Sequence, residues 1–263
     1  MDDRRTAGSR RVSGSRTDDV VDGARTGEMG DGRDDAGLAL HVGAGALRLL
    51  AAVAAVLVVV SLTGQVLLRT GVAAATWFYD LAILVDLDHE ANIPSWFQTG
   101  LLLLCAGVLW TTGDLARRSG EGRARGWHGL ALIFAYLSLD EAASLHENLI
   151  VPLREGLGLD GVLTFAWVLV GGPLALLVAL AYLPFLRALP RATARRMVGA
   201  GAVYLAGALL VELLGGQITS LGQDRTVLYA VVTTVEEVLE MSGLLLLLRA
   251  LHLHVDRSPA PVR

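Results

Sequence analysis

The chain is poor in the residues that form the most recognisable metal and disulfide sites. It has one cysteine, Cys105, and six histidines among 263 residues. A single thiol excludes an internal disulfide framework and a cysteine-rich metal site. The histidines are scattered, and the spacings His-x-x-x-His, Glu-x-x-His and His-Glu-x-x-His are all absent. The common sequence signatures of metalloenzymes are therefore excluded.

Charged residues are also scarce, at 18%, whereas hydrophobic residues make up 53% and the mean hydropathy is +0.53. These values are typical of an integral membrane protein. Residues 1–41 differ because they are rich in Arg, Asp, Gly and Ser and have too few apolar residues to form a core. We expect a disordered tail over 1–41, although an over-long gene start would equally explain part of it. A transmembrane domain over 42–252 and a short tail over 253–263 follow.

Six apolar runs are long enough, or nearly so, to cross the ~30 Å hydrocarbon core of a bilayer, which takes about 20 residues. They lie at about 46–68, 95–113, 127–147, 162–186, 197–214 and 227–249. The loops 114–126 and 187–196 hold four arginines each, whereas the loops on the opposite side hold one each. By the positive-inside rule, the sequence predicts an all-α polytopic transmembrane bundle with both termini in the cytoplasm. The indicated location is the plasma membrane.

The first outer loop, residues 69–94, is the most unusual connection. Residues 75–85 are predicted to form a short interfacial helix, and Pro94 is expected near the start of the second span. The loop also contains acidic residues and a histidine between positions 86 and 90. We expect it to cover the outer end of the bundle.

Ionisable side chains interrupt two of the apolar runs, where each carboxylate costs roughly 2.5–3.5 kcal/mol on insertion scales. At about 100° per residue, Asp140, Ser144 and Glu147 share one narrow face of the third run. One sector of the sixth run contains Glu236, Glu237 and Glu240. A face of the fifth run contains Gly201, Tyr204, Ala208, Glu212 and Gly215. The helical rise places the acidic groups together in the middle-to-outer part of the bilayer.

So many carboxylates held close together need a bound cation or shared protons. Carboxylates with one or two imidazoles suit Zn²⁺, Mn²⁺ or Fe²⁺, whereas oxygen ligands alone suit Ca²⁺ or Mg²⁺. We therefore predict a divalent metal as cofactor, with Asp140 or Glu141 as the catalytic general base. The predicted ligands are His146, Glu147, Glu237 and Glu240. The remaining polar cluster consists of Asp88, His89, Glu90, Ser144, Glu212 and Glu236.

Simpler interpretations stay open for these groups. His146 and Glu147 can be merely solvated at the water interface. Asp140 and Glu141 can be structural groups that bond to Ser, Thr or Tyr of neighbouring helices. In a loop of this kind, His89 is more often a surface histidine than a ligand.

Two segments carry a resemblance to a known family. Residues 90–97 read Glu-Ala-Asn-Ile-Pro-Ser-Trp-Phe, and residues 138–143 read Ser-Leu-Asp-Glu-Ala-Ala, followed by His146 and Glu147. In these motifs the chain resembles a widespread group of small bacterial multi-pass membrane proteins without an assigned function. The resemblance implies a membrane fold and no particular reaction. Ceramidase-like hydrolases, which hold zinc with three histidines, and desaturases, which need a larger histidine cluster, match less well.

Three functions are compatible with this pattern. The first is a metal-dependent enzyme that acts on a lipid or lipid-linked substrate near the outer leaflet. The second is a proton- or cation-coupled transporter, which a weak inverted repeat of three spans favours. The third is a non-catalytic sensor or assembly subunit. An outward-facing site without polar residues in the cytoplasmic half favours the enzyme. We expect membrane lipids as partners and no nucleic acid, and a homo-oligomer stays open because six spans make a small transporter.

Overall fold

The computed structural model describes residues 42–71 and 76–256, and within these ranges it contains helices and connections but no strand. The helices are α1 (Ala44–Arg69), α2 (Thr76–Leu84), α3 (Ile93–Arg118), α4 (Ala124–Ala143), α5 (Ile150–Leu157), α6 (Val168–Ala188), α7 (Arg191–Leu205), α8 (Glu212–Ser220) and α9 (Val227–Val255). A π-helical segment, Ala206–Val211, joins α7 to α8. Short 3-10 turns form at Glu147–Leu149 and Gly161–Leu163. The predicted all-α fold class is confirmed.

The predicted tails fall mostly outside the described residues. Residues 1–41 lie outside them entirely, and so do residues 257–263. The last helix continues to Val255, so the described beginning of the predicted tail over 253–263 is helical.

Four helices in the described ranges are long and apolar enough to cross a membrane. They are α1, α3, α6 and the continuous helix Arg191–Ser220, which α7, the π segment and α8 form together. The helices α4 and α9, with 20 and 29 residues, contain Asp140, Glu141, Glu236, Glu237 and Glu240 and are not among these four. The composition is consistent with a membrane protein, while the six spans and the orientation of the termini stay predictions.

The helix α9 lies at the centre of the bundle, where it packs against α1, α3, α7 and α8. The core residues that are no more than 1% exposed include Leu101, Leu102, Cys105 and Leu109 of α3 and Leu244, Leu248 and Leu251 of α9. Trp127 of α4 is buried against the same core. The helix α6 differs, because Val168 alone among its residues is buried. It therefore lies at the edge of the bundle.

Two glycines let the helix Arg191–Ser220 and α9 approach each other closely. A Cβ atom at Gly207 would lie 2.7 Å from the carbonyl oxygen of Glu236, and one at Gly243 would lie 2.7 Å from the backbone of Tyr204. The sequence indicated a face containing Gly201 instead, but no described atom comes within 4 Å of a Cβ atom placed there. Tyr204, on the same predicted face, does contact α9, and the π segment Ala206–Val211 changes the helical period only beyond it.

The helix α4 ends at Ala143, four residues earlier than predicted. The next residue, Ser144, takes the left-handed conformation with φ of 52°, a common way for a helix to end. The prediction that Ser144 and Glu147 share a helical face with Asp140 is therefore wrong. The left-handed residue turns the chain back, so that His146 meets the side chain of Asp140 directly.

Candidate functional site

The connection between α2 and α3 is held by a capping box at the start of α3, where Pro94 also stands as predicted. The amide of Ser95 donates to Asn92 Oδ1 at 3.1 Å, and the amide of Asn92 donates to Ser95 Oγ at 3.0 Å. Just before the box, Ala91 has a φ of 57°, a conformation that is unfavourable for a residue with a side chain. These features fix the direction in which Glu90 points.

His146 is oriented by a carboxylate on one ring nitrogen and faces a second carboxylate with the other. Its Nδ1 atom donates to Asp140 Oδ2 at 2.9 Å, and its Nε2 atom lies 3.9 Å from Glu90 Oε1. The ring of Trp167 packs against the imidazole at a centroid distance of 4.9 Å. In metal sites, a ligating histidine usually donates a hydrogen bond from its second ring nitrogen to a carboxylate in this way. The geometry therefore leaves Nε2 available to bind a metal.

Three side chains offer metal-ligand atoms that all lie within 4.8 Å of one another, and these are Glu90, His146 and Glu147. The ligand atoms around a tetrahedral zinc lie roughly 3.5 Å apart, since zinc binds nitrogen and oxygen at about 2.0–2.2 Å. Small side-chain movements are enough to close the difference. Glu90 Oε2 is buried and has no hydrogen-bond partner among the described residues. A cation would satisfy that atom.

The pKa values of Glu90, in the loop before α3, and of His146, in the turn after α4, differ from their ordinary values. Burial and the nearby charge of Glu147 raise the pKa of Glu90 to about 7. Burial acts to lower the pKa of His146, but its hydrogen bond to Asp140 and the charges of the surrounding carboxylates together outweigh burial and raise the pKa to about 9. Without a cation, the group therefore holds protons near neutral pH, which a bound metal would displace.

A second set of acidic side chains lies deeper, on α9. Glu240 is buried, and its Oε2 atom accepts a hydrogen bond from Gln98 Nε2 at 3.0 Å. Gln98 is only 2% exposed, and its Oε1 atom has no partner in the described part of the chain. Glu237 and Glu240, two of the predicted ligands, lie outside the group of Glu90, His146 and Glu147.

The remaining predicted residues surround these two sets. Trp167 Nε1 donates to Glu212 Oε1 at 2.6 Å, and the carboxyl groups of Glu212 and Glu236 lie against each other. Asp88 Oδ1 accepts from the hydroxyl of Tyr229 at 3.3 Å. His89 and Glu141 line the same cavity as the acidic groups, and the carbonyl of Ser144 accepts from the side chain of Asn148 at 2.7 Å.

A cavity of about 940 Å³ connects the acidic groups with an apolar space between α4, α6, α7 and α9. This volume is at the upper end of the range for small-molecule sites, roughly 300–1,000 Å³. Its polar end contains Asp140, Glu141, His146, Glu147, Glu237 and Glu240. Its apolar walls include Leu132, Tyr136, Leu174, Val178, Leu205 and Leu247. The site is thus polar at one end and hydrocarbon-like over the rest of its length.

Two residues of the site were not predicted. Gln98 lies in the second apolar run, where a polar residue is unusual, and this was the signal that could have drawn attention to it. Trp167 lies near the start of the fourth apolar run and resembles any interfacial tryptophan, so its contacts with His146 and Glu212 have no local sequence signal. Glu90 was predicted as part of the polar cluster and not as a ligand.

The fold and this site together define an all-helical protein that has helices able to span a membrane and a His/Glu group beside an apolar cavity. A family model described as "Domain of unknown function (DUF8692)" matches residues 48–255. The chain belongs to this family, in agreement with the predicted resemblance to an uncharacterised group. Comparisons with curated proteins and with solved structures gave no match.

Proposed function

We propose that this protein is a metal-dependent enzyme of the plasma membrane that acts on a lipid-type substrate at the outer leaflet. The observation that carries the proposal is the group of Glu90, His146 and Glu147 at the polar end of an apolar cavity. In this proposal the chain is a bacterial multi-pass protein with six spans and both termini in the cytoplasm. The positive-inside distribution of arginines supports that orientation.

The proposed roles follow from the contacts of each side chain. Glu90, His146 and Glu147 hold a divalent metal, and one imidazole with two carboxylates suits Zn²⁺, Mn²⁺ or Fe²⁺. When bound by these residues, such a metal would supply Lewis-acid chemistry, which lowers the pKa of water and polarises a carbonyl or phosphoryl group. Asp140 keeps the imidazole in the required tautomer through its bond to Nδ1. Glu141 is then the better candidate for the general base, because Asp140 is already engaged.

The sequence predicted Glu237 and Glu240 as ligands beside His146 and Glu147. That set stays a proposal, because Glu237 and Glu240 line the same cavity as His146 and Glu147. The two sets share His146 and Glu147, so Glu90→Gln and Glu237→Gln distinguish them. The variant that loses metal while the other keeps it identifies the third ligand.

The test is the metal content of the purified protein, together with its reaction on membrane lipids. Wild type, Glu147→Ala and Glu237→Ala are purified without chelators, and metals are measured by mass spectrometry. We expect about one transition-metal ion per chain in wild type and its loss in Glu147→Ala. Product release from radiolabelled membrane lipids should depend on the added metal. A folded wild-type protein without metal, and with no metal uptake on titration, would contradict the proposal.

Transport is the second candidate, supported by the buried contact between Gln98 and Glu240. Such a pair suits the binding of a proton or a small cation within a span. Against transport, the far end of the cavity is lined by apolar residues such as Leu186, Met197 and Leu247. A non-catalytic role predicts that Glu147→Gln and Glu237→Gln lower the folded yield and cause no separate chemical defect.

A further inference from the structure

The apolar part of the cavity is a slot between α4 and α6 that opens on the side of the bundle. Leu132 and Tyr136 of α4 line the cavity and are 62% and 52% exposed. Leu174 and Val170 of α6 also line it and are 50% and 45% exposed. Residues that both line a cavity and remain exposed form its mouth. The mouth therefore lies on an apolar side of the helices, where a bilayer would stand.

The slot is closed at one end by a tight contact between α4 and α6. The hydroxyl of Tyr182 and the ring of Phe185 occupy the positions where side chains at Gly129 and Gly126 would stand. Phe185 also packs edge-on against Trp127, at a centroid distance of 5.0 Å. Because α4 has glycine at both positions, these aromatic side chains of α6 reach its backbone here. Tyr182 therefore narrows the slot close to its far end, where Leu186 also lines the cavity.

The other end of the slot is the metal-ligand group. Trp167, immediately before α6, contacts His146, and Tyr182 follows fifteen residues later. At about 1.5 Å per residue the slot is therefore about 22 Å long. One leaflet of the hydrocarbon core is about 15 Å deep, so the slot has room for a complete acyl chain.

We propose that the slot between α4 and α6 binds one acyl chain of a membrane lipid, with the head of the lipid at His146, and that Tyr182 limits the length of the chain. The inference rests on the proposed function in that it identifies the substrate as a lipid that enters sideways from the bilayer. The occupant is a hydrocarbon chain because the walls are apolar from Val170 to Tyr182. The acidic end favours a neutral or cationic head, since an anionic head would be repelled unless a metal is bound.

The test uses the full-length protein in amphipol and a homologous series of monoacylglycerols with a photoreactive group at the end of the chain. Affinity should rise by about fourfold for each added methylene until the tip of the chain reaches Tyr182. The chain length at which affinity stops rising is the optimum that the variants should move. Cross-links from the longest tightly bound member should map to the region around Tyr182. Tyr182→Ala should move the optimum to longer chains, and Ala175→Trp, which blocks the slot midway, should move it to shorter ones.

The matched control is Leu180→Ala, on a neighbouring part of α6 that does not line the cavity. It should keep the wild-type optimum. An optimum that is the same in wild type, Tyr182→Ala and Ala175→Trp would overturn the inference, as would cross-links to Leu176 or Leu177 or to a second copy of the chain. Metal-dependent lipid turnover with no chain-length optimum would contradict the acyl-chain slot and leave the proposed function standing. A chain-length optimum in a protein that binds no metal would support the slot and contradict the proposed function.

Discussion

Two histidine–aspartate pairs, one at each end of α4, have similar geometry and very different neighbours. His128 Nε2 lies 3.2 Å from Asp114 Oδ1, and its ring packs on Trp110 at a centroid distance of 4.6 Å. The pair of His146 and Asp140 has a separation of 2.9 Å, and its ring packs on Trp167 at 4.9 Å. Each pair thus consists of an imidazole, a carboxylate and an indole.

The difference lies in the charges around the pairs. Asp114 also binds Arg117 at 3.0 Å, so its charge is compensated by an arginine. His146 instead faces Glu90 at 3.9 Å, and the charges nearest Glu90 include Glu147 and Asp140. The pair at Asp114 needs no bound cation, because an arginine already compensates its charge. The excess of carboxylates around His146 does need a bound cation or protons. The comparison shows that the pair alone does not define a site, and that the local charge balance decides its role.

The largest difference is expected when the two histidines are removed in turn. His146→Ala should abolish stoichiometric metal binding and any metal-dependent turnover, because it removes the nitrogen ligand of the group. His128→Ala should leave both unchanged and serves as the matched control. The measurements are metal content and lipid turnover of the purified variants. Equal metal content in both variants would contradict the assignment of the metal to the pair of His146 and Asp140.

Removing the two aspartates should have a smaller effect. Asp140→Asn keeps the shape of the side chain but weakens its hold on the His146 imidazole, and loss of such a partner typically lowers metal affinity about 10- to 100-fold. Asp114→Asn should not change the affinity. Titration of the metal-free proteins with Zn²⁺ against a competing chelator measures both values. An unchanged affinity in Asp140→Asn would assign that residue a different role, such as the predicted general base.

The third prediction concerns pH. Metal binding needs Glu90 ionised and His146 neutral, and their pKa values in the metal-free protein are raised to about 7 and about 9. As the pH falls from 9 to 7, one proton competes with the metal, and affinity should drop about tenfold per unit. Below 7 a second proton competes, and the slope should approach about a hundredfold per unit.

The slope is measured by the same chelator competition at several pH values. Glu90→Gln is the internal control, because it removes the second proton and should leave a single slope of about tenfold per unit below pH 9. A wild-type affinity that is independent of pH would mean that neither residue is a ligand.

Much of the fold followed from sequence, whereas the site followed only in part. The six apolar runs correspond to helices, and α2 occupies Thr76–Leu84, within the predicted 75–85. The acidic residues were found because carboxylates are rare in apolar helices. Their grouping was less predictable, because it depends on a left-handed residue at Ser144 and on the distant loop that carries Glu90. Helical periodicity contains no information about either.

The smallest effect is expected from the backbone of the connections next to the two pairs. The turn before α4 uses Gly120 at a φ of 71°, whereas the connections that carry Glu90 and His146 use Ala91 at 57° and Ser144 at 52°. The left-handed conformation costs a residue with a side chain about 1–2 kcal/mol. Ala91→Gly removes that cost but increases the freedom of the unfolded chain by about 0.4–1 kcal/mol, so the net gain in stability should be at most about 1.6 kcal/mol.

Thermal unfolding of the metal-free protein in detergent measures this gain. Gly120→Ala is the control in the opposite direction, because it introduces the same strain and should lower the stability by a similar amount. Ala91→Gly should also bind metal slightly more weakly, because a freer loop holds Glu90 less firmly. Strained residues that are retained beside a candidate site suggest that the strain serves the position of the ligand. If Ala91→Gly is more stable and binds metal as tightly as wild type, the conformation of Ala91 has no part in the site, and the difference in charge alone distinguishes the two pairs.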